Sequence, residues 1–275
     1  MQTLPALLMI LSGSIHAVVN ALIKGGEDKA AGRAATDATS AIILLPALAL
    51  VPAPGAAWPW LAASAVIHAV YLYALVRAYE VGDFSAAYPV LRGVAPLATA
   101  AVSVSIVGEP ASEADLLGIA LIGGSMVAMV AGRHLSRAAL GWSVLTGLAI
   151  AGYTVVDAAG VRAAPTANSY IAWAFVLMGA LTTAMFASLN GPALFPAMRA
   201  QWRPGLLAGA LSIVTYGLAL TAFSLGPTAP LAALRETGMV TAVLLAAFVL
   251  HERVTPARIA AVAGVLAGAT LILAF

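Results

Sequence analysis

The stretch AYEVGDFSAAYPVLR, residues 78–92, decides how this chain folds. It ends on Arg92, deep in an apolar region that closes with SIVGEP at residues 105–110, where Glu109 lies seventeen positions after the arginine. Seventeen helical residues rise roughly 25 Å, close to the ~30 Å hydrocarbon core of a bilayer. The spacing indicates a helix that crosses a membrane and carries a charged group inside it.

The same pattern occurs a second time. AFSLGPTAPLAALR at residues 222–235 also ends on an arginine, Arg235. FVLHER at residues 248–253 then brings an acidic side chain, Glu252, seventeen positions later. The end of the first half of the chain therefore recurs in the second half.

The opening segments of the two halves match as well. HAVVNA, which begins at His16, aligns with YTVVDA, which begins at Tyr153, so that Asn20 corresponds to Asp157. We therefore predict an internal repeat of two five-helix domains. The predicted repeats are residues 1–135 and 136–275.

Composition indicates that nearly the whole chain lies in lipid. Hydrophobic residues make up 62% of 275 positions, charged residues 9%, and the mean hydropathy is +1.00. Backbone in lipid must satisfy its own hydrogen bonds, so apolar runs of about 20 residues predict helices. The predicted segments are 4–24, 34–51, 58–80, 84–107, 113–132, 138–160, 168–189, 203–225, 228–250 and 255–275.

The basic residues between these segments predict the orientation. Nine of them lie in odd-numbered breaks, whereas the even-numbered breaks hold only Arg162. The nine are Lys24, Lys29, Arg33, Arg133, Arg137, Arg199, Arg203, Arg253 and Arg258. The positive-inside rule places the odd breaks in the cytoplasm and both termini in the periplasm of an inner-membrane protein. Because five helices is an odd number, the second repeat is inverted relative to the first. We predict an all-α integral membrane protein with ten transmembrane helices around a central cavity.

Several functional classes are disfavoured. The chain has no cysteine, which excludes disulfides and thiolate metal sites. It contains neither a His-Glu-x-x-His motif nor a Gly-x-Ser-x-Gly motif, so we do not expect an enzyme. Its basic residues are scattered over the breaks, which disfavours nucleic acid as a partner. We expect no cofactor and no metal.

Polar residues inside the predicted helices are candidates for function. A charged side chain at the centre of a spanning helix costs on the order of 2.5–3.5 kcal/mol, so each one needs a partner, a cavity or a role. Arg92 and Arg235 are suited to a carboxylate because a guanidinium offers a planar fork, although an internal ion pair or carbonyl cap explains them equally well. Successive residues of a helix point about 100° apart, so Glu236 does not face its neighbour Arg235. It needs another partner, either a substrate ammonium or a proton. Asp157 carries a proton or is bonded to a hydroxyl or an arginine of another helix.

Polar side chains four residues apart lie on one face of a helix. His16 and Asn20 form one such patch and Tyr153 and Asp157 form its counterpart, so we expect both to line the cavity, although His16 alone is also typical of helix packing. The predicted substrate-binding residues are His16, Asn20, His68, Tyr79, Tyr88, Arg92, Tyr153, Asp157, Tyr216, Arg235 and Glu236.

These features together resemble a known family. The Ala-x-x-x-Gly turn after the third helix, the arginine in the fourth, the Gly-Glu or His-Glu end and the Gly-rich last helix are similar to the EamA-type repeat of the drug/metabolite transporter superfamily. Both copies are present. The resemblance implies a ten-helix carrier whose cavity is lined mainly by helices 1, 3, 4, 6, 8 and 9. In length and loop economy the chain also resembles the amino-acid exporters of the YddG type.

The functional prediction is a secondary transporter that exports amino acids or similar small metabolites across the inner membrane by alternating access. Its partners are then a small-molecule substrate and the lipid bilayer, and a monomer suffices because both halves are in one chain. The alternatives are a drug or nucleotide-sugar transporter of the same superfamily, or a passive channel. A channel would show flux without saturation, whereas a carrier would saturate.

Overall fold

The computed structural model describes residues 3–24, 28–82, 84–130, 135–249, 251 and 254–275, and every regular element in these ranges is helical. Glu252, Arg133 and Arg253 lie outside the described residues. The predicted all-α fold is confirmed. The helices are α1 Thr3–Lys24, α2 Lys29–Leu44, α3 Trp58–Val81, α4 Phe84–Ser105, α5 Glu113–Ala128, α6 Arg137–Ala163, α7 Ala167–Asn190, α8 Leu194–Ala200, α9 Trp202–Leu225, α10 Thr228–Arg235, α11 Gly238–Phe248 and α12 Pro256–Ala274.

A helix lies in each of the ten predicted segments, and eight helical stretches of the described chain are long and apolar enough to cross a membrane. The two segments that do not reach this length contain α2 and α5, which have 16 residues each. A 3-10 helix at Leu45–Ala49 continues α2, with Pro46 at its start. Proline removes a backbone donor, which explains why the α-helix ends there. The chain is a multi-pass membrane protein.

The helices pack in two groups that flank the centre of the molecule. In one group α3 and α4 pack against α6, and in the other α9, α10 and α11 pack against α1. Each group therefore combines helices of the first predicted repeat with helices of the second. This exchange is what a two-fold relation between the predicted repeats would produce, because such a relation swaps α1 with α6 and α3 with α9. The repeat and its inversion stay predictions.

Small residues allow close contacts between helices. Gly205 and Gly209 of α9 face α2, whose Thr39 Oγ1 and Ser40 Oγ donate to their carbonyl oxygens over 2.9 and 3.0 Å. A Cβ added to Gly268 of α12 would overlap the backbone of α5. The Gly-x-x-x-Gly spacings therefore mark packing contacts.

The ninth predicted segment, 228–250, is not one continuous helix. It breaks between Arg235, the last residue of α10, and Gly238, the first residue of α11. Around the break the amides bond three residues back, as in the 2.9 Å bond from Met239 N to Glu236 O. Such short tight stretches inside a helix often mark functional positions. The ninth predicted segment therefore contains two helices, and the break between them lies at Glu236.

The broken helix lies directly against α1. A Cβ added to Gly13 would overlap the carbonyl oxygen of Arg235, and one added to Gly238 would overlap the backbone of Gly13. Only glycine permits this backbone contact on both sides. It fixes the position of the break in the middle of the molecule.

Candidate functional site

A cavity of about 60 Å³ lies between α1, α4, α5 and the broken helix α10–α11. A single water molecule needs roughly 10–15 Å³, so this space holds several waters or a small polar group. Methionine and glycine form part of the wall. The polar lining consists of five predicted site residues, His16, Asn20, Tyr88, Arg92 and Glu236.

An ion pair forms one wall of this cavity. Arg92 Nε on α4 lies 2.9 Å from Glu236 Oε2 in the break, and the two side chains are only 12% and 5% exposed. The guanidinium carbon of Arg92 also lies 6.0 Å from the centre of the Tyr88 ring. The expectation that Glu236 finds a partner other than Arg235 is confirmed. The pair joins the two groups of helices across the cavity.

Asp157 lies outside the cavity lining and is completely buried. Tyr170 Oη of α7 donates a hydrogen bond to Asp157 Oδ1 over 2.7 Å, and Tyr216 Oη of α9 donates to Oδ2. Of the alternatives for this carboxylate, the structure shows the one in which hydroxyl groups of other helices hold it. Asp157 therefore ties α6 to α7 and α9.

The remaining aromatic site residues form a cluster beside Asp157. The rings of His68 and Tyr153 are stacked with centroids 3.9 Å apart, and Tyr216 lies edge-on to Tyr153 at 6.5 Å. His68 Nδ1 lies 2.9 Å from the carbonyl oxygen of Ser64. Tyr79 packs on the apolar side of the same cluster. None of these four residues is part of the described lining of the cavity.

Arg235 lies beside this cluster. Its guanidinium carbon is 5.6 Å from the centre of the Tyr216 ring, so the cation faces the ring that bonds Asp157. Its Nε is buried without a hydrogen-bond partner. Within the described part of the chain Arg235 makes no ion pair, in contrast to Arg92.

A second polar cluster lies near the C-terminal ends of α4 and α6 and the start of α10. We name it the Glu109 cluster. Arg162 Nη1 donates to Glu109 Oε1 over 2.5 Å, and Arg162 Nε and Nη2 donate to the carbonyl oxygens of Phe223 and Gly226 over 2.9 and 2.7 Å. The backbone N of Thr228 donates to Glu109 Oε2 over 2.7 Å. The cluster consists of Glu109, Arg162, Phe223, Gly226 and Thr228.

The Glu109 carboxylate is stabilised in its charged form. Burial disfavours ionisation, but the hydrogen bonds from Arg162 and Thr228 outweigh this effect and hold the pKa of Glu109 below its ordinary value. The side chain therefore carries its negative charge at neutral pH.

The part of the chain that is described contains no group of three His, Asp or Glu placed to hold a metal ion.

The model of the EamA-like transporter family matches residues 137–274, which is half of the 275 residues. The chain belongs to the EamA-like transporter family. A solved crystal structure of a protein with 17% sequence identity matches it with a TM-score of 0.70, over 98% of this chain and 95% of that chain. This likeness shows the same fold. No curated protein matches the sequence.

Sequence reasoning missed two parts of this EamA-like transporter. Tyr170 was not singled out, because nothing in the sequence of α7 indicates that its hydroxyl meets Asp157. Arg162 was noted only as the exception to the charge bias. A single basic residue on the side of the membrane that also carries Glu109 was the available signal for the Glu109 cluster.

We expect Tyr170→Phe and Tyr216→Phe each to destabilise the transporter by about 1–3 kcal/mol, because each removes a donor from the buried Asp157 carboxylate. Thermal unfolding of the purified protein in detergent measures the loss. Tyr73→Phe is the matched control, since Tyr73 is 47% exposed. Equal unfolding temperatures for Tyr170→Phe and Tyr73→Phe would contradict the assigned role of the hydroxyl.

Proposed function

We propose that this EamA-like transporter is a secondary carrier that exports amino acids or similar small zwitterions across the inner membrane by alternating access. The observation that supports this most directly is the Arg92–Glu236 ion pair on the wall of the cavity. The pair brings one positive and one negative group to the same buried space. An amino acid carries the complementary two charges.

The exchange of partners is electrically balanced. The substrate carboxylate binds the guanidinium fork of Arg92, and the substrate ammonium donates to Glu236. One ion pair is then replaced by two, and no buried charge stays uncompensated. A ligand with only one of the two charges would leave either Arg92 or Glu236 without a counter-ion, which costs several kcal/mol in a buried site. The site thus favours zwitterions over simple acids and amines.

The predicted topology supports loading from the cytoplasm. With both termini in the periplasm, α1 runs toward the cytoplasm, and the cavity residues His16 and Asn20 lie in its second half. In the same predicted topology α4 begins on the cytoplasmic side, and Tyr88 and Arg92 lie in its first half. The cavity therefore lies toward the cytoplasmic ends of its helices, as expected for an exporter before release. Both repeats lie in one chain, so a monomer contains the complete site.

Uptake and counterflow in liposomes that contain the purified protein test the proposal. The panel consists of neutral, aromatic and charged amino acids, a nucleotide sugar and a cationic dye. Each amino acid is paired with two analogues of similar size, an amide that lacks the carboxylate and a deaminated acid that lacks the ammonium. We expect saturable amino-acid flux that is stimulated by unlabelled amino acid on the other side, without competition by either analogue.

Other outcomes would contradict the proposal. Flux of the dye or the nucleotide sugar alone would assign the chain to another branch of the superfamily. Flux that rises without saturation would indicate a channel. Competition by the deaminated acid as strong as that by the amino acid would show that Glu236 does not bind an ammonium.

A further inference from the structure

The Glu109 cluster lies at the end of the helices opposite to the cavity. Arg92 is in the first half of α4, whereas Glu109 follows the end of the same helix at Ser105. Likewise Thr228 begins α10, and Glu236 follows its last residue. Eight helical residues rise about 12 Å, so α10 separates the cluster from the cavity by this distance. The predicted topology places the cluster on the periplasmic side.

The cluster joins the two groups of helices that flank the cavity. Phe223, Gly226 and Thr228 belong to the corner between α9 and α10, in the group that packs around α1. Arg162 ends α6, and Glu109 follows α4, in the group that contains α3, α4 and α6. All of the cluster's hydrogen bonds except the one between Arg162 and Glu109 therefore run from one group to the other.

Two hydrogen bonds of the cluster cap the N-terminus of α10. Glu109 Oε2 accepts from the backbone N of Thr228, and Glu109 Oε1 accepts from Thr228 Oγ1, both over 2.7 Å. A carboxylate at the start of a helix satisfies an otherwise unpaired amide and interacts favourably with the helix dipole. Separation of the two groups at this end would leave that amide and the Nε and Nη2 donors of Arg162 without these partners.

Most side chains of α10 between the cluster and the cavity are buried. Ala229 is 1% exposed, and Leu231, Ala233 and Leu234 are 0% exposed. These side chains of α10 are therefore packed against their neighbours, while the cavity lies beyond them, at Glu236. The arrangement is that of a carrier closed at the end that carries the Glu109 cluster.

We propose that the Glu109 cluster is a latch that holds the periplasmic end of the transporter closed while the cavity faces the cytoplasm. Substrate release then requires the Thr228 corner to leave both Glu109 and Arg162. The latch acts on the equilibrium between the two states, so it is independent of which solute the cavity binds.

Single-cysteine labelling tests the latch, because the natural chain has no cysteine. Ala233→Cys reports on the packed segment of α10 between the cluster and the cavity, since Ala233 is 0% exposed, and Ala242→Cys reports on the cavity wall. A membrane-impermeant maleimide is added to one side of proteoliposomes at a time. With the native latch we expect only the cysteine at position 242 to react, from the cytoplasmic side.

Glu109→Gln is expected to raise periplasmic labelling at position 233 by about tenfold and to lower cytoplasmic labelling at position 242, because hydrogen bonds to charged groups are the stronger ones. Thr228→Val is a milder variant that removes the hydroxyl but retains the amide, and we expect a smaller shift in the same direction. Thr228→Ser retains the hydroxyl and is expected to label as the native protein does. Glu80→Gln is the matched control, since it breaks the exposed Arg77–Glu80 pair.

The opposite movement of the two reporters is the decisive result. An increase at both positions would show a loosened bundle and would overturn the proposal, as would unchanged labelling in Glu109→Gln and Thr228→Val. Labelling at position 233 from the cytoplasmic side would also overturn it. No substrate is present in this experiment, so its failure is distinguishable from failure of the proposed amino-acid transport.

Discussion

Glu236→Gln is expected to reduce amino-acid counterflow by about 100-fold or more. The glutamine keeps a hydrogen-bond acceptor but removes the charge that balances Arg92, whose side chain is 12% exposed. Removal of one partner from a buried ion pair costs about 3–5 kcal/mol, and each 1.4 kcal/mol is a factor of about ten. The substrate ammonium loses its counter-ion as well. Initial rates of trans-stimulated uptake in proteoliposomes measure the effect.

Two comparisons separate a role in transport from a role in folding. Glu80→Gln breaks an Arg–Glu pair of the same chemistry with side chains 41% and 51% exposed, and we expect it to transport normally. The double variant Arg92→Met, Glu236→Met removes both charges together, so we expect near-native thermal stability without transport. Normal counterflow in the double variant would show that the pair is not part of the substrate site.

Gly13→Ala is expected to destabilise the protein by about 3 kcal/mol, the upper part of the range for overpacking. The new Cβ overlaps the carbonyl oxygen of Arg235 and lies 3.2 Å from the backbone N of Gly238. Both neighbours are backbone atoms, so no side-chain rotation relieves the contact, and α1 must move away from the break. Thermal unfolding and the yield of monodisperse protein measure the loss.

Gly124→Ala is the matched control for this substitution. It also places a methyl group in a membrane helix, but, apart from the backbone of its own helix, no atom of the described residues lies within 4 Å of the position that its Cβ would occupy. We expect its unfolding temperature to equal that of the native protein or to exceed it slightly, because alanine favours helix more than glycine does. If Gly13→Ala unfolds at the same temperature, the close contact of α1 with the break does not support the fold.

Local properties of the chain were sufficient to predict the helices. The length and hydropathy of a segment decide whether it crosses a bilayer, and both can be read directly from residues 202–225 or 256–274. The break at Glu236 was not predictable in this way. It depends on contact between Gly13 and Gly238, which are distant in sequence and adjacent only after folding.

The same distinction applies to the candidate site. Helical periodicity correctly indicates that His16 and Asn20 share a face, and both line the cavity. It does not indicate which neighbouring helix that face meets. The hydroxyls that hold Asp157 come from α7 and α9, and the partner of Glu236 comes from α4, so these pairings follow from tertiary packing alone. Their assignment to a substrate stays a prediction.

Each group of helices combines distant parts of the sequence, and this has a consequence for biosynthesis. Ser12 Oγ of α1 donates to the carbonyl oxygen of Thr215 in α9 over 2.6 Å, across a sequence separation of 203 residues. At roughly 5–20 residues per second, a ribosome needs on the order of 10–40 s to synthesise that interval. During this time α1 is in the membrane without its final neighbours. The helix α1 thus reaches its final packing only after α9 has been synthesised, and the nascent chain cannot mature one predicted repeat at a time.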